Sequence, residues 1–151
     1  LHLGDMWEPV GAHRFDLIVA NLPHFPMPDG GYGIRRPSWS AGGPDGRRFL
    51  DRFIDGLAAQ LSREGRALIT HNAFVGLDAT RDRLLPFGLE ARSALSRQVF
   101  IPPEKIALMP DAIWRREEGR TLFHLGPYAF GEMVVLEIAW DGTFAAEGDN
   151  G

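Results

Sequence analysis

At 151 residues, 44% of them hydrophobic and 24% charged, the chain has the length and composition of one globular domain able to bury a sizeable core. Its formal net charge of −4, from 16 basic and 20 acidic residues, argues against bulk electrostatic binding of nucleic acid. The lack of Cys excludes disulfides and thiolate chemistry, and the five His have no close metal-ligand spacing, so no metal site is expected. No apolar run approaches the roughly 18–20 residues of a membrane-spanning helix; with no signal-peptide pattern, the expectation is a soluble, cytoplasmic protein that does not engage a membrane.

The chain opens without Met on Leu1-His2-Leu3-Gly4-Asp5, which reads as the end of a strand already in progress and points to a fragment. Asp5 to Pro9 turns the chain. Leu17-Ile18-Val19-Ala20 then reads as a buried strand that ends in Asn21-Leu22-Pro23-His24. Open α/β sheets bind ligands beyond the carboxyl ends of their strands. A buried amide there needs a partner, since an unpaired one costs roughly 1–3 kcal/mol. Residues 25–46 are rich in Gly and Pro and predict a long irregular loop; Tyr32, Arg35, Arg36 and Trp39 within it suit a substrate lid beside that crevice.

Asp45 reads as the N-cap of a helix with Phe49, Leu50, Phe53, Ile54, Leu57, Ala58 and Leu61 on one stripe and Gly65 as its stop. Residues 66–70 predict the next strand, whose end carries His71 and Asn72, read mainly as satisfying strand-end backbone. Asp78 is placed to cap a shorter helix through Leu85, which Pro86 and Gly88 end. From Leu89 to Ile101 the period becomes two, predicting a strand exposed on one face. Pro102-Pro103 stops it and opens an insertion, residues 102–120, with a helical turn on each side of Pro110 and no function assigned. A last strand over residues 132–140 is expected antiparallel to the Leu89 strand. Residues 142–151 read as a frayed tail.

Taken together, Gly4-Asp5, Phe15-Asp16-Leu17-Ile18-Val19-Ala20-Asn21-Leu22-Pro23-His24 and Gly42-Gly43-Pro44-Asp45-Gly46 resemble the class I S-adenosylmethionine-dependent methyltransferases. Within that class the likeness is greatest to the HemK-like protein-glutamine N5-methyltransferases and the related small methyltransferase domains. The resemblance implies an α/β fold: the C-terminal portion of a Rossmann-like methyltransferase sheet, parallel strands plus a terminal antiparallel pair, over residues 1–141. It implies S-adenosylmethionine as cofactor and methyl transfer to a nitrogen acceptor, a protein glutamine or similar amide, with a small-molecule acceptor as an alternative. Nucleic-acid base amines remain an alternative that the acidic balance disfavours; a non-catalytic half-domain is another.

In such enzymes an Asn-Pro-Pro-aromatic loop holds a poorly nucleophilic NH2 with the Asn side-chain oxygen and a neighbouring carbonyl, aiming its nitrogen at the sulfonium methyl. Carried over, Asn21 matches the Asn, Leu22 replaces the first Pro, Pro23 matches the second and His24 replaces the aromatic, with Phe25 offering a true aromatic one position on. The Leu22 carbonyl can still accept, and Pro23 biases Leu22 toward extended backbone. Asp5 matches the acidic residue near the adenine, Asn21 borders the cofactor, and Phe25, Trp39 and Asp45 border the substrate. The glycine-rich cofactor loop and the second strand's acidic residue precede Leu1 in the family's order; Gly30-Gly31-Tyr32-Gly33 imitates that loop only weakly. With the intervening strands missing, residues 1–4 would be orphaned and the Leu17 strand would become an exposed apolar edge.

Overall fold

A computed structural model describes residues 1–28 and 40–148. The strands are β1 (Phe15–Ala20), β2 (Leu61–Asn72), β3 (Leu89–Ile101), β4 (Leu122–Leu125) and β5 (Tyr128–Trp140), and the helices α1 (Arg48–Gln60), α2 (Leu77–Leu84), α3 (Pro103–Ile106), α4 (Asp111–Glu117) and α5 (Thr143–Gly148). The sheet order is β1-β2-β5-β3, with β4 also paired to β5. β1 runs parallel to β2; β5 is antiparallel to β2, β3 and β4. The chain is therefore α/β with a parallel pair followed by antiparallel strands, and the β3–β5 pairing and the helical turns flanking Pro110 lie where the sequence puts them.

One face of the sheet carries the core. Ala67, Ile69 and His71 of β2 lie opposite Ile138, Leu136 and Val134 of β5, all buried. Leu50, Phe53, Ile54 and Leu57 of α1 recur at helical spacing and join this cluster with Leu84 of α2. At about 1.5–3 kcal/mol for each fully buried side chain, that stripe is what holds α1 in place. The N-terminal turn closes over its other side: Trp7 stacks on Phe53 with ring centroids 4.8 Å apart and donates from Nε1 to the Phe53 carbonyl.

Several local expectations are corrected. Residues 1–5 form no strand, because no strand is there to pair with them among the described residues. Asp45 does not cap α1: it closes the preceding turn by accepting the Arg47 N–H at 2.9 Å, and the N-cap position is Arg47. Gly65 does not stop the helix. α1 passes straight into β2 at Leu61, where Arg14 Nη1 donates to the carbonyls of Ala58 and Leu61 and so satisfies the helix end. Gly65 lies inside β2, where the register slips between Phe15↔Leu61 and Leu17↔Arg66. Asp78 sits in the first turn of α2 behind the N-cap Gly76. β3 is an edge strand whose middle is open on both faces. Where a frayed tail was expected, α5 docks through Phe144, whose ring lies 4.2 Å from the Arg92 guanidinium.

The expected exposed edge is present. β1 has no partner on its outer side among the described residues, and Leu17 and Val19 are 60% and 71% exposed.

Candidate functional site

β1 and β2 run parallel and end side by side, so the residues that follow each come together at one edge of the sheet. There a cavity of about 280 Å³ is lined by Asn21, Leu22, His24 and Phe25 after β1 and by Asn72 and Phe74 at the end of β2. The third side comes from the end of β3 and the segment behind it, through Phe100, Pro102 and Lys105, whose Nζ lies 5.1 Å from the Phe25 ring centroid. The volume sits at the foot of the roughly 300–1,000 Å³ of small-molecule sites, a size for a side-chain-sized group.

The glycines of Gly42-Gly43-Pro44-Asp45-Gly46 explain how this loop is held. A Cβ on Gly42 would lie 2.7 Å from His24 Cα and 2.6 Å from the Gly46 carbonyl oxygen, so only glycine lets the two backbones touch. Phe25 N–H donates to the Ser40 carbonyl and Gly42 N–H to the Phe25 carbonyl, both at 2.8 Å, and Met27 N–H donates to Gly43 at 2.9 Å. The loop is thus stapled at its base, and Phe25, 5% exposed, becomes a fixed wall packed edge-on against Phe74.

Asn21 is exposed, so the cost of a buried amide does not apply to it. Its Oδ1 accepts the Thr70 hydroxyl at 2.6 Å; its amide N–H groups have no hydrogen-bond partner among the described residues. The Leu22 carbonyl accepts from His24 Nδ1–H, since a carbonyl can only accept. One of its two lone pairs is thereby taken and the other is left for a ligand. Burial lowers the pKa of His24, opposed by hydrogen bonds to the Leu22 carbonyl and the Asn72 side chain and reinforced by the Lys105 charge. The ring is uncharged at neutral pH.

Behind His24, with ring centroids 6.4 Å apart, lies the fully buried His71. Its Nδ1–H donates to the Asn72 carbonyl and its Nε2 accepts the Thr80 hydroxyl, each at 2.8 Å. Thr80 Oγ1 in turn accepts Arg47 Nη1 at 3.0 Å, and the same nitrogen donates to the carbonyls of Val75 and Gly76. Burial, joined by the neighbouring His24, Arg47 and Arg81 charges, lowers the His71 pKa to about 3.

Of the residues expected at the site, Asn21, Leu22, His24 and Phe25 meet in the cavity. Pro23, half-buried, and Asp45, exposed, both lie outside its lining. Trp39, with Tyr32, Arg35 and Arg36, lies outside the described residues. Asp5 is exposed and paired with Arg52 at 2.7 Å, away from the cavity lining. Asn72 lines the cavity, whereas His71 does satisfy strand-end backbone. The wall of Phe100, Pro102 and Lys105 had no sequence signal beyond the Pro102-Pro103 stop.

The described residues do not build a cradle for S-adenosylmethionine: Asp5 is turned to Arg52, and Gly30, Gly31 and Gly33 lie outside them. What they do build is a small cleft with both polar and apolar walls.

No protein-family profile matches the chain. Over 112 residues it is 31% identical to a "putative protein N5-glutamine methyltransferase" of Methanocaldococcus jannaschii, covering 74% of this chain and 54% of the relative. Among solved structures, the E. cuniculi Mtq2–Trm112 complex, responsible for methylation of the eRF1 translation termination factor, aligns with a TM-score of 0.48 at 18% identity, over 83% of this chain and 52% of that one. The chain spans about half the length of the curated relative it matches. By its sequence, the chain is similar to a protein with a methyltransferase name, in keeping with its resemblance to the HemK-like class I S-adenosylmethionine-dependent methyltransferases.

Proposed function

We propose that this chain forms the acceptor side of an S-adenosylmethionine-dependent methyltransferase acting on a nitrogen, with a protein glutamine amide as the favoured acceptor. The observation that carries the reading is the convergence of Asn21, the Leu22 carbonyl, His24 and Phe25 on one small cavity at the carboxyl ends of a parallel strand pair. The 31% identity to a protein named for N5-glutamine methylation supports the choice of acceptor.

An amide NH2 entering the cavity would donate one hydrogen to the free lone pair of the Leu22 carbonyl and the other to Asn21 Oδ1 beside Thr70, while an Asn21 amide N–H meets the acceptor's own carbonyl. Two acceptors and one donor fix the plane of the group and so the direction of its nitrogen; positioning of this kind is worth several kcal/mol in a transfer reaction. Phe25, walled in by Phe74, packs on the apolar part of the acceptor, and the uncharged His24 keeps the Leu22 carbonyl aimed. Bound S-adenosylmethionine would supply the methyl group.

The test is methyl transfer by the full-length gene product to release-factor peptides bearing glutamine, to tRNA, rRNA and DNA, read by mass spectrometry of the acceptor. Transfer to the peptide amide, lost in Asn21→Ala, is the expected result. Turnover unchanged in Asn21→Ala would sink the site assignment, transfer only to a base amine would replace the acceptor, and no transfer at all would favour a non-catalytic binding module.

A further inference from the structure

We infer that the buried pair His71 and Thr80, held by Arg47, are positioning residues that set Asn72 and His24 in the acceptor cavity; the inference rests on the function proposed above. His71 occupies a core position of β2 in line with the apolar residues of its own face, Ala67 and Ile69, where a Leu or Met would pack without polar cost. A buried polar chain is tolerated only when every member is satisfied, and this one is: Arg47 donates to Thr80, Thr80 donates to His71 Nε2, and His71 Nδ1–H donates to the Asn72 carbonyl.

The last link gives the chain its consequence. Asn72 is the final residue of β2, where the ladder to β5 stops, so its carbonyl is held by the His71 ring rather than by a continuing strand. The Asn72 side chain lines the cavity with His24, whose ring lies 6.4 Å from that of His71 and donates to the Leu22 carbonyl. Arg47 also donates to the carbonyls of Val75 and Gly76 and pairs with Asp51 at 2.8 Å, tying the start of α1 to the turn that follows Asn72. A helix start, a strand end and the first turns of α2 are thus locked together behind the acceptor loop.

The experiment compares Thr80→Val and Thr80→Ser in the full-length gene product. Val matches Thr in shape but cannot donate to Nε2; Ser restores the hydroxyl. Misplacement of the acceptor loop should lower kcat by about tenfold or more in Thr80→Val with KM changed less than about threefold, and Thr80→Ser should recover most of it. Long-range ¹H–¹⁵N NMR of the unsubstituted protein should show His71 protonated on Nδ1. A proton on Nε2 would overturn the inference whether or not Thr80→Val folds, and so would a folded Thr80→Val with the kcat of the parent protein, or a Thr80→Ser no better than Thr80→Val. If Asn21→Ala is inactive while Thr80→Val is fully active, the positioning role falls and the acceptor site stands; if Asn21→Ala is fully active, the acceptor site itself falls.

Discussion

Acidification should unfold this protein through His71 before most carboxylates are involved. The ring is fully buried and its pKa falls from 6.5 to about 3 on folding. Above pH 6.5 the ring is neutral in both states and contributes no pH dependence. Below it the unfolded chain binds a proton that the folded chain refuses, so stability is lost as pH falls toward 3. At about 1.4 kcal/mol per unit, the loss from this residue is about 3 kcal/mol by pH 4 and at most about 5 kcal/mol at full depression. Against a typical total of about 5–15 kcal/mol, that is a large share. Urea unfolding of the parent protein and of His71→Gln between about pH 7.5 and pH 4.5 isolates the effect: the parent's slope should exceed the variant's by up to about 1.4 kcal/mol per pH unit. Equal slopes, or a His71 ring resonance titrating near its unfolded value in the folded protein, would refute the reasoning.

Gly42→Ala should cost about 1–3 kcal/mol in thermal unfolding and weaken acceptor binding, because its Cβ would collide with the His24 Cα and the Gly46 carbonyl rather than with a flexible side chain. Asp5→Asn should change stability by less than about 1 kcal/mol, since the Asp5–Arg52 pair is about half exposed on both sides; a larger loss in urea unfolding would mean that the N-terminal turn depends on this pair. Val19→Lys should leave stability within about 0.5 kcal/mol while lowering self-association in sedimentation, as a charge placed on an open strand edge opposes edge-to-edge pairing.

Much of this arrangement is legible in the residues. The apolar run Leu17 to Ala20 closed by Asn21 and Pro23, the helical stripe from Leu50 to Leu57 and the two-residue period after Leu89 each appear as the element they suggest, because local pattern agrees with core packing in α1 and with strand pairing in β1 and β3, although Leu17, Val19 and the middle of β3 stay exposed. The errors fall where they disagree. Gly65 and Asp45 have the chemistry of a helix stop and a cap, but Arg14 reaches back from before β1 to satisfy the helix end, and Asp45 spends its carboxylate on a turn. Neither contact has a sequence period. His71 was read correctly as a strand-end residue, yet its partners Thr80 and Arg47, 9 and 24 positions away, follow only from the packing of α1 and α2 on β2. The wall formed by Phe100, Pro102 and Lys105 joins the end of β3 to the turn and short helix behind it, and its approach to the cavity follows from the β3–β5 pairing rather than from any local period.

Asn21 shows why the two polar groups at this sheet edge have different work. An exposed amide can exchange water for an acceptor amide at little cost, since its N–H groups are solvated before the ligand arrives. A buried imidazole cannot. His71 has both nitrogens committed and is held neutral, which makes it a poor ligand and a rigid support. His24 is buried but lines the cavity, and is bonded to the Leu22 carbonyl. The exposed contact and the buried support thus fall on different residues, with the His24 and His71 rings 6.4 Å apart, so substitutions at Asn21 and at Thr80 should fail in different kinetic constants. Loss of a direct contact at Asn21 removes binding and orientation together. Loss of the Thr80 hydroxyl leaves every direct contact in place and removes only their alignment.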